Sequence, residues 1–134
     1  MRHLIIAEDD LDLLNVYRSF AEYAGWSVQV CTSGTEIKSF LSDGQDPILL
    51  LIDVNMPGKD GIEAIDDILA VSRPMRLRFM SGGDNAPMLA AKLIASARDL
   101  SVGRNIYKPI SRVDFLAILE EEASILSQMA PQVD

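Results

Sequence analysis

The sequence predicts a doubly wound α/β domain, with five parallel strands and helices on both faces. Short apolar runs alternate five times with segments whose apolar residues recur at helical spacing. The most apolar run, PILLLI (47–52), lacks polar alternation, as a strand buried on both faces should. Helical segments of this length between strands imply right-handed crossovers, and so an open sheet.

In chain order, HLIIA (3–7) is the first strand. Leu14, Tyr17, Ala21 and Ala24 mark the inner stripe of a helix that stops at Gly25. WSVQVC (26–31) alternates as a second strand. Ser33 with Glu36 three residues later is a capping box, opening a short helix through Ile37, Phe40 and Leu41. The third strand, 47–52, runs into Asp53. Ile62, Ile65 and Ile68 or Leu69 form the next helical stripe, and MRLRFM (75–80) the fourth strand. Pro87 sits early in a helix carrying Leu89, Leu93 or Ile94, and Ala97, where proline is tolerated. RNIYK (104–108) is the fifth strand. Ser111 and Asp114 cap a last helix with Leu116, Leu119, Ala123 and Leu126. The expected domain covers 1–128, followed by a polar, frayed tail at 129–134.

Composition bounds the function. The chain has 134 residues, 49% hydrophobic and 24% charged, enough for one full core. No apolar run reaches the ~18 residues of a membrane span, and acids follow the first apolar run, unlike a secretory leader. One cysteine, Cys31, excludes an internal disulfide and fits a reducing cytoplasm. A net charge of −8 argues against direct grip on nucleic acid phosphates.

In doubly wound sheets the chemistry lies beyond the carboxyl ends of the strands. Those ends carry Glu8-Asp9-Asp10, Asp53, Ser81-Gly82-Gly83 and Lys108-Pro109. Singly, each has an ordinary reading: loop acid, helix cap, turn, solvated lysine. Together they bring carboxylates, a hydroxyl and an ammonium to one edge. Two carboxylates about 4 Å apart repel by roughly 4 kcal/mol at an effective dielectric near 20, so such a pocket needs cations. Lys108 supplies one charge, and oxygen ligands select a hard divalent ion such as Mg²⁺.

The motifs IIAED, DVNMPGKDG, MSGG and YKP, in this order, resemble the response-regulator receiver domains of two-component signalling, from about Arg2 to Gln128. The resemblance implies strand order 2-1-3-4-5 and assigns roles. Asp53 is the phosphoryl acceptor. Asp9 and Asp53 are direct Mg²⁺ ligands (Mn²⁺ could substitute), Glu8 acts through water, and the Asn55 backbone carbonyl completes the set. Ser81 contacts the phosphoryl group, and Lys108 pairs with Asp53. Pro57 and the glycines shape the intervening loop, and Lys108-Pro109 is cis. The implied partners are a histidine kinase or phosphotransfer protein, and a downstream output protein or domain. The implied function is a switch that takes up and loses its phosphoryl group, not a turnover enzyme, changing the surface of helix 4, strand 5 and helix 5.

Three positions depart from the family pattern. Asn105 stands where an aromatic switch residue is usual, with Tyr107 expected on the same strand face and Asn105 expected to stay at the surface. The Ser81 to Lys108 interval is longer by about one helical turn, lengthening the fourth helix or its exit. Val54 replaces an aromatic found in some relatives. The competing readings are a receiver cut from a longer regulator such as a cyclic-dinucleotide phosphodiesterase, a Mg²⁺-dependent phosphatase using Asp53, and a receiver-shaped interaction domain that is never phosphorylated. Against the phosphatase, Asn55 replaces the second acid of a DxD motif, and the chain has no room for a substrate cap.

Overall fold

The computed structural model describes residues 2–56 and 59–129. The strands are β1 (His3–Ala7), β2 (Ser27–Cys31), β3 (Ile48–Asp53), β4 (Met75–Ser81) and β5 (Ile106–Tyr107). The helices are α1 (Leu11–Tyr23), α2 (Ile37–Leu41), α3 (Ala64–Leu69), α4 (Ala86–Ala97) and α5 (Arg112–Met129). All strand pairs are parallel, in the order β2-β1-β3-β4-β5.

The central strand explains the layering. All six residues of β3 are buried. Because side chains alternate across a strand, Ile48, Leu50 and Ile52 join the core under α2, α3 and α4, while Leu49 and Leu51 join the core under α1 and α5. Each such side chain contributes about 1.5–3 kcal/mol of burial. Asp10 opens α1 by accepting from the N–H groups of Asp12 and Leu13 (3.0 and 3.2 Å). Ser111 opens α5 by accepting from the N–H of Asp114 (3.1 Å).

The expected elements are all present, and several details differ. Trp26 precedes β2 rather than opening it; it is buried, with the Arg2 guanidinium over its ring. Ser33 accepts from the N–H of Thr35 rather than Glu36, and a single 3-10 turn (Gly34–Glu36) precedes α2 in place of the expected capping box. Helix α5 runs through Met129, one residue into the expected tail; 130–134 lie outside the described residues.

The largest difference is in α4. Its inner stripe is Met88, Ala91 and Ala95, not Leu89, Leu93 or Ile94, and Ala97. Leu89 and Leu93 are 52% and 72% exposed. This helix is apolar all round apart from Lys92 and Ser96, so its pattern does not choose a face. The choice falls to the small alanines, which let the helix lie close on the sheet.

Strand β5 is shorter than expected, for a reason found on β4. Arg76 and Arg78 face α5 and are bound by Glu122, which is fully buried, at 2.8 and 2.6 Å; Arg78 also reaches Glu121 (3.1 Å). The chain after α4 pairs with β4 once, through Val102 and Leu77, then leaves the ladder and rejoins it where Met80 meets Ile106. It uses one residue more than β4 over this interval, a bulge. Gly103 sits in the bulge. A Cβ there would lie 2.9 Å from Arg78 Nε and from Glu122 Oε1, so the ion cluster takes the space of a side chain. Asn105 thus precedes β5 instead of sharing a strand face with Tyr107.

Removing one partner of a buried ion cluster strands the others without compensation. Glu122→Ala is expected to cost about 3–5 kcal/mol in urea unfolding, the worst single loss on this face. Replacing Arg76, Arg78 and Glu122 together by apolar residues of similar volume should recover most of it. A Glu122→Ala protein as stable as wild type would show the cluster to be dispensable.

Candidate phosphoryl-acceptor site

The acids at the end of β1 have three different fates. The N–H of Glu8 donates to the Cys31 carbonyl (3.0 Å), which keeps the chain in the ladder and its side chain inside, at 0% exposure. Asp9, one residue on, is exposed at the rim. Asp10 is spent as the cap of α1. Asp53, the last residue of β3, is 1% exposed, and its Oδ1 accepts from the N–H of Asn55 (2.8 Å).

Lys108 joins the two buried acids. Its Nζ donates to Glu8 Oε1 and to Asp53 Oδ2, both at 2.6 Å. Beyond β4, the lysine reaches back across two strand spacings, about 9–10 Å. Gly82, after β4, leaves room for its stem: a Cβ there would lie 3.4 Å from Lys108 Cε. The Lys108–Pro109 peptide is cis.

Burial pushes the Glu8 carboxyl up to about 8, aided by its hydrogen bond to Asp53 and opposed by Lys108. Burial also pushes Asp53 up, but the bonds from Glu8, Lys108 and the Asn55 N–H outweigh it and hold Asp53 below the usual range. Burial disfavours the ammonium of Lys108, yet its two carboxylate partners outweigh that and hold it above the usual lysine range. Burial thus favours the protonated form of Glu8, while Lys108 and the Asn55 N–H favour the charged form of Asp53.

Glu8, Asp9 and Asp53 can each bring one carboxylate oxygen within 4.8 Å of the others. An all-oxygen set of this size suits a hard divalent cation. Ser81 is buried, and its hydroxyl donates to the Asp84 carbonyl (3.1 Å), into the β4–α4 turn. The Lys108 N–H donates to the Ser81 carbonyl (2.8 Å), so hydroxyl and lysine are tied through the backbone. Asn105 is half-buried with its Oδ1 unpartnered, instead of lying at the surface as expected. Its position in the bulge, not the strand, is the reason. Pro57 and Gly58 lie outside the described residues.

Two contacts were missed from the sequence. The N–H of Gly34 donates to the Lys59 carbonyl (2.7 Å), pinning the loop after Asp53, and a Cβ at Gly34 would come within 2.5 Å of that carbonyl oxygen. Tyr17, read as core, accepts from the backbone N–H of Ile110 (3.1 Å). A hydroxyl within an apolar helical stripe was the only signal for the second; nothing in the sequence signals the first.

A buried acid pair at adjacent strand ends, bridged by a lysine and flanked by a third acid and a hydroxyl, defines the class of protein. A family model described as the response regulator receiver domain matches residues 4–120. The chain belongs to this family. It is similar to the aerobic respiration control protein ArcA of Escherichia coli (strain K12), 34% identical over 83 residues, covering 62% of this chain and 34% of ArcA. Response regulator SaeR of Staphylococcus aureus (strain USA300) is 32% identical over 68 residues, 51% of this chain and 29% of SaeR. The match thus spans about a third of these relatives. The fold is that of a CheY-like receiver domain from Methanospirillum hungatei JF-1, with a TM-score of 0.81 at 18% identity, covering 97% of this chain and 99% of that one. No helix among the described residues is long and apolar enough to cross a membrane.

The pH dependence of the metal-free protein follows from Glu8. Its folded value is raised, so the native state holds more protons than the unfolded chain between the ordinary value of 4.5 and about 8. This contribution is fully present below 4.5 and is lost as pH rises through about 8. Urea unfolding without divalent ions should show stability falling across that window, and Glu8→Gln should flatten the fall. A Glu8→Gln profile identical to wild type would reject the assignment of the proton.

Proposed function

We propose that this receiver is a phosphoryl-accepting switch, with Asp53 as the nucleophile and a histidine kinase or phosphotransfer protein as the donor. The observation that carries the reading is Asp53 at a buried strand end, with Lys108 2.6 Å from one of its oxygens. In the transfer, an Asp53 oxygen attacks phosphorus. A P–O bond forms, the P–N bond to the donor imidazole breaks, and the nitrogen leaves with the electron pair. Lys108 neutralises charge on the acceptor and then on the phosphoryl group. Ser81 turns its hydroxyl from the Asp84 carbonyl to a phosphoryl oxygen. The work is positioning and charge stabilisation.

Asp9, Asp53 and the Asn55 carbonyl would hold Mg²⁺ or Mn²⁺ directly, with Glu8 acting through water. The ion would neutralise charge on the phosphoryl oxygens. The bond from Lys108 already engages Glu8, which fits an outer role. Hydrolysis of the acyl phosphate returns the carboxylate, so the domain resets itself and does not turn over an external substrate. The receiver unit runs to about Gln128, acts in the cytoplasm and passes its signal to an output protein or domain. Its net charge of −8 supports a protein partner over direct contact with nucleic acid.

The signal leaves through α4, β5 and α5. Leu89 and Leu93 on α4 and Tyr107 on β5 are exposed apolar groups of this surface. Asn105, with its Oδ1 unpartnered, keeps its place in the bulge in both states, and the change is carried by the turn after Ser81 and by α4.

Incubation with a small phosphodonor and Mg²⁺ should add one phosphoryl group by mass spectrometry, and chelation should abolish the adduct. Asp53→Asn should take up none while melting near wild type; undiminished labelling of that variant would overturn the acceptor assignment. Amide exchange with and without a beryllofluoride mimic should change at residues 82–97 and not at Asn105. Change confined to Tyr107 would place the readout elsewhere.

A further inference from the structure

Lys108 is held unequally on its two sides. Before it, β5 has two residues, and the last backbone bond to β4 is from the Lys108 N–H to the Ser81 carbonyl (2.8 Å). After it comes Pro109, which has no N–H to offer. The next main-chain donor, the N–H of Ile110, goes to the phenolic oxygen of Tyr17 at 3.1 Å. A side chain of α1 thus supplies the tether on the far side of the lysine.

Tyr17 suits this task. It is 0% exposed, and its ring stacks on Phe115 of α5 with centroids 5.1 Å apart and planes 12° from parallel. The stack would be served equally by phenylalanine. Burying a hydroxyl costs free energy unless it is bonded, so the bond to Ile110 is what the oxygen adds to the stack. The ring is fixed between two helices, and its oxygen therefore fixes the chain two residues beyond Lys108.

We propose that Tyr17 is a positioning residue for phosphoryl transfer: by accepting from the Ile110 N–H it sets the main chain from which Lys108 reaches Asp53. The inference rests on the reading of Asp53 as acceptor and Lys108 as its partner. Tyr17 touches neither reacting group and acts only through the lysine.

The test is Tyr17→Phe, which keeps the stack and removes the acceptor. With acetyl phosphate and saturating Mg²⁺, the maximal labelling rate should fall about tenfold, the scale of a sub-ångström misplacement. Mg²⁺ affinity by calorimetry should stay within about twofold of wild type, because the carboxylates lie on β1 and β3. In a Lys108→Ala background the substitution should have no further effect on the rate. A merely structural role would lower the melting temperature and leave the rate of the folded protein unchanged, which would overturn the proposal. So would a parallel loss of Mg²⁺ affinity, or additivity with Lys108→Ala. Should Tyr17→Phe not fold, amide exchange on wild type decides: a protected Ile110 amide supports the tether, and free exchange there refutes it. If wild type itself takes up no phosphoryl group, the acceptor reading fails first.

Discussion

Glu8 and Asp53 are both buried, on adjacent strands, and without a cation they could not both keep their place. The ammonium of Lys108 between them is the interaction on which the site depends. It has to come from β5, two strands from β3, because no nearer strand end carries a positive group. Gly82 lies under its stem, the Ser81 carbonyl holds its N–H, and burial raises the Glu8 carboxyl, which lessens the charge the lysine must offset. On the function proposed above, the same pocket would take a second cation and a phosphoryl group. The cation would relieve the crowding of carboxylates that the fold imposes and offset the charge of the phosphoryl group.

A second cluster of charge shapes the element that carries the lysine. Arg76 and Arg78 occupy the α5 side of β4, where apolar residues would be expected, and Glu122 answers them from α5. Space for this cluster is made at Gly103, and β5 bulges away from the ladder around it. Only two residues of regular strand then precede Lys108. A short strand gives little hold on its last side chain, so contacts from other elements, Tyr17 among them, matter more here than they would beside a long strand. The unpartnered Oδ1 of Asn105 belongs to the same bulge. Its burial is a consequence of the route the chain takes, not of its own chemistry.

The outer surface of α4 has a comparable origin. Ala91 and Ala95 bring the helix close to β4, and the rotation that buries Met88 turns Leu89 and Leu93 outward. These leucines are then available to a partner. The apolar face that an output protein could meet is set by which small residues pack inward.

The amino-acid sequence by itself determined the strand and helix order, the parallel sheet and the convergence of Glu8, Asp9, Asp53, Ser81 and Lys108 on one edge. It could do so because side-chain periodicity and strand-end position are local properties, and the doubly wound topology maps chain order onto space. It also held the α1 and α5 caps, since a cap bonds within three residues of itself. What only the tertiary structure decided were the contacts between distant segments. The face of α4 was one, because a helix apolar all round fits more than one rotation. The break in β5 was another, because it answers to a glutamate on α5, and the burial of Glu8 beside an exposed Asp9 depends on a bond to β2. The bond from Ile110 to Tyr17 spans 93 residues, and no local pattern in either segment encodes a contact made across that distance.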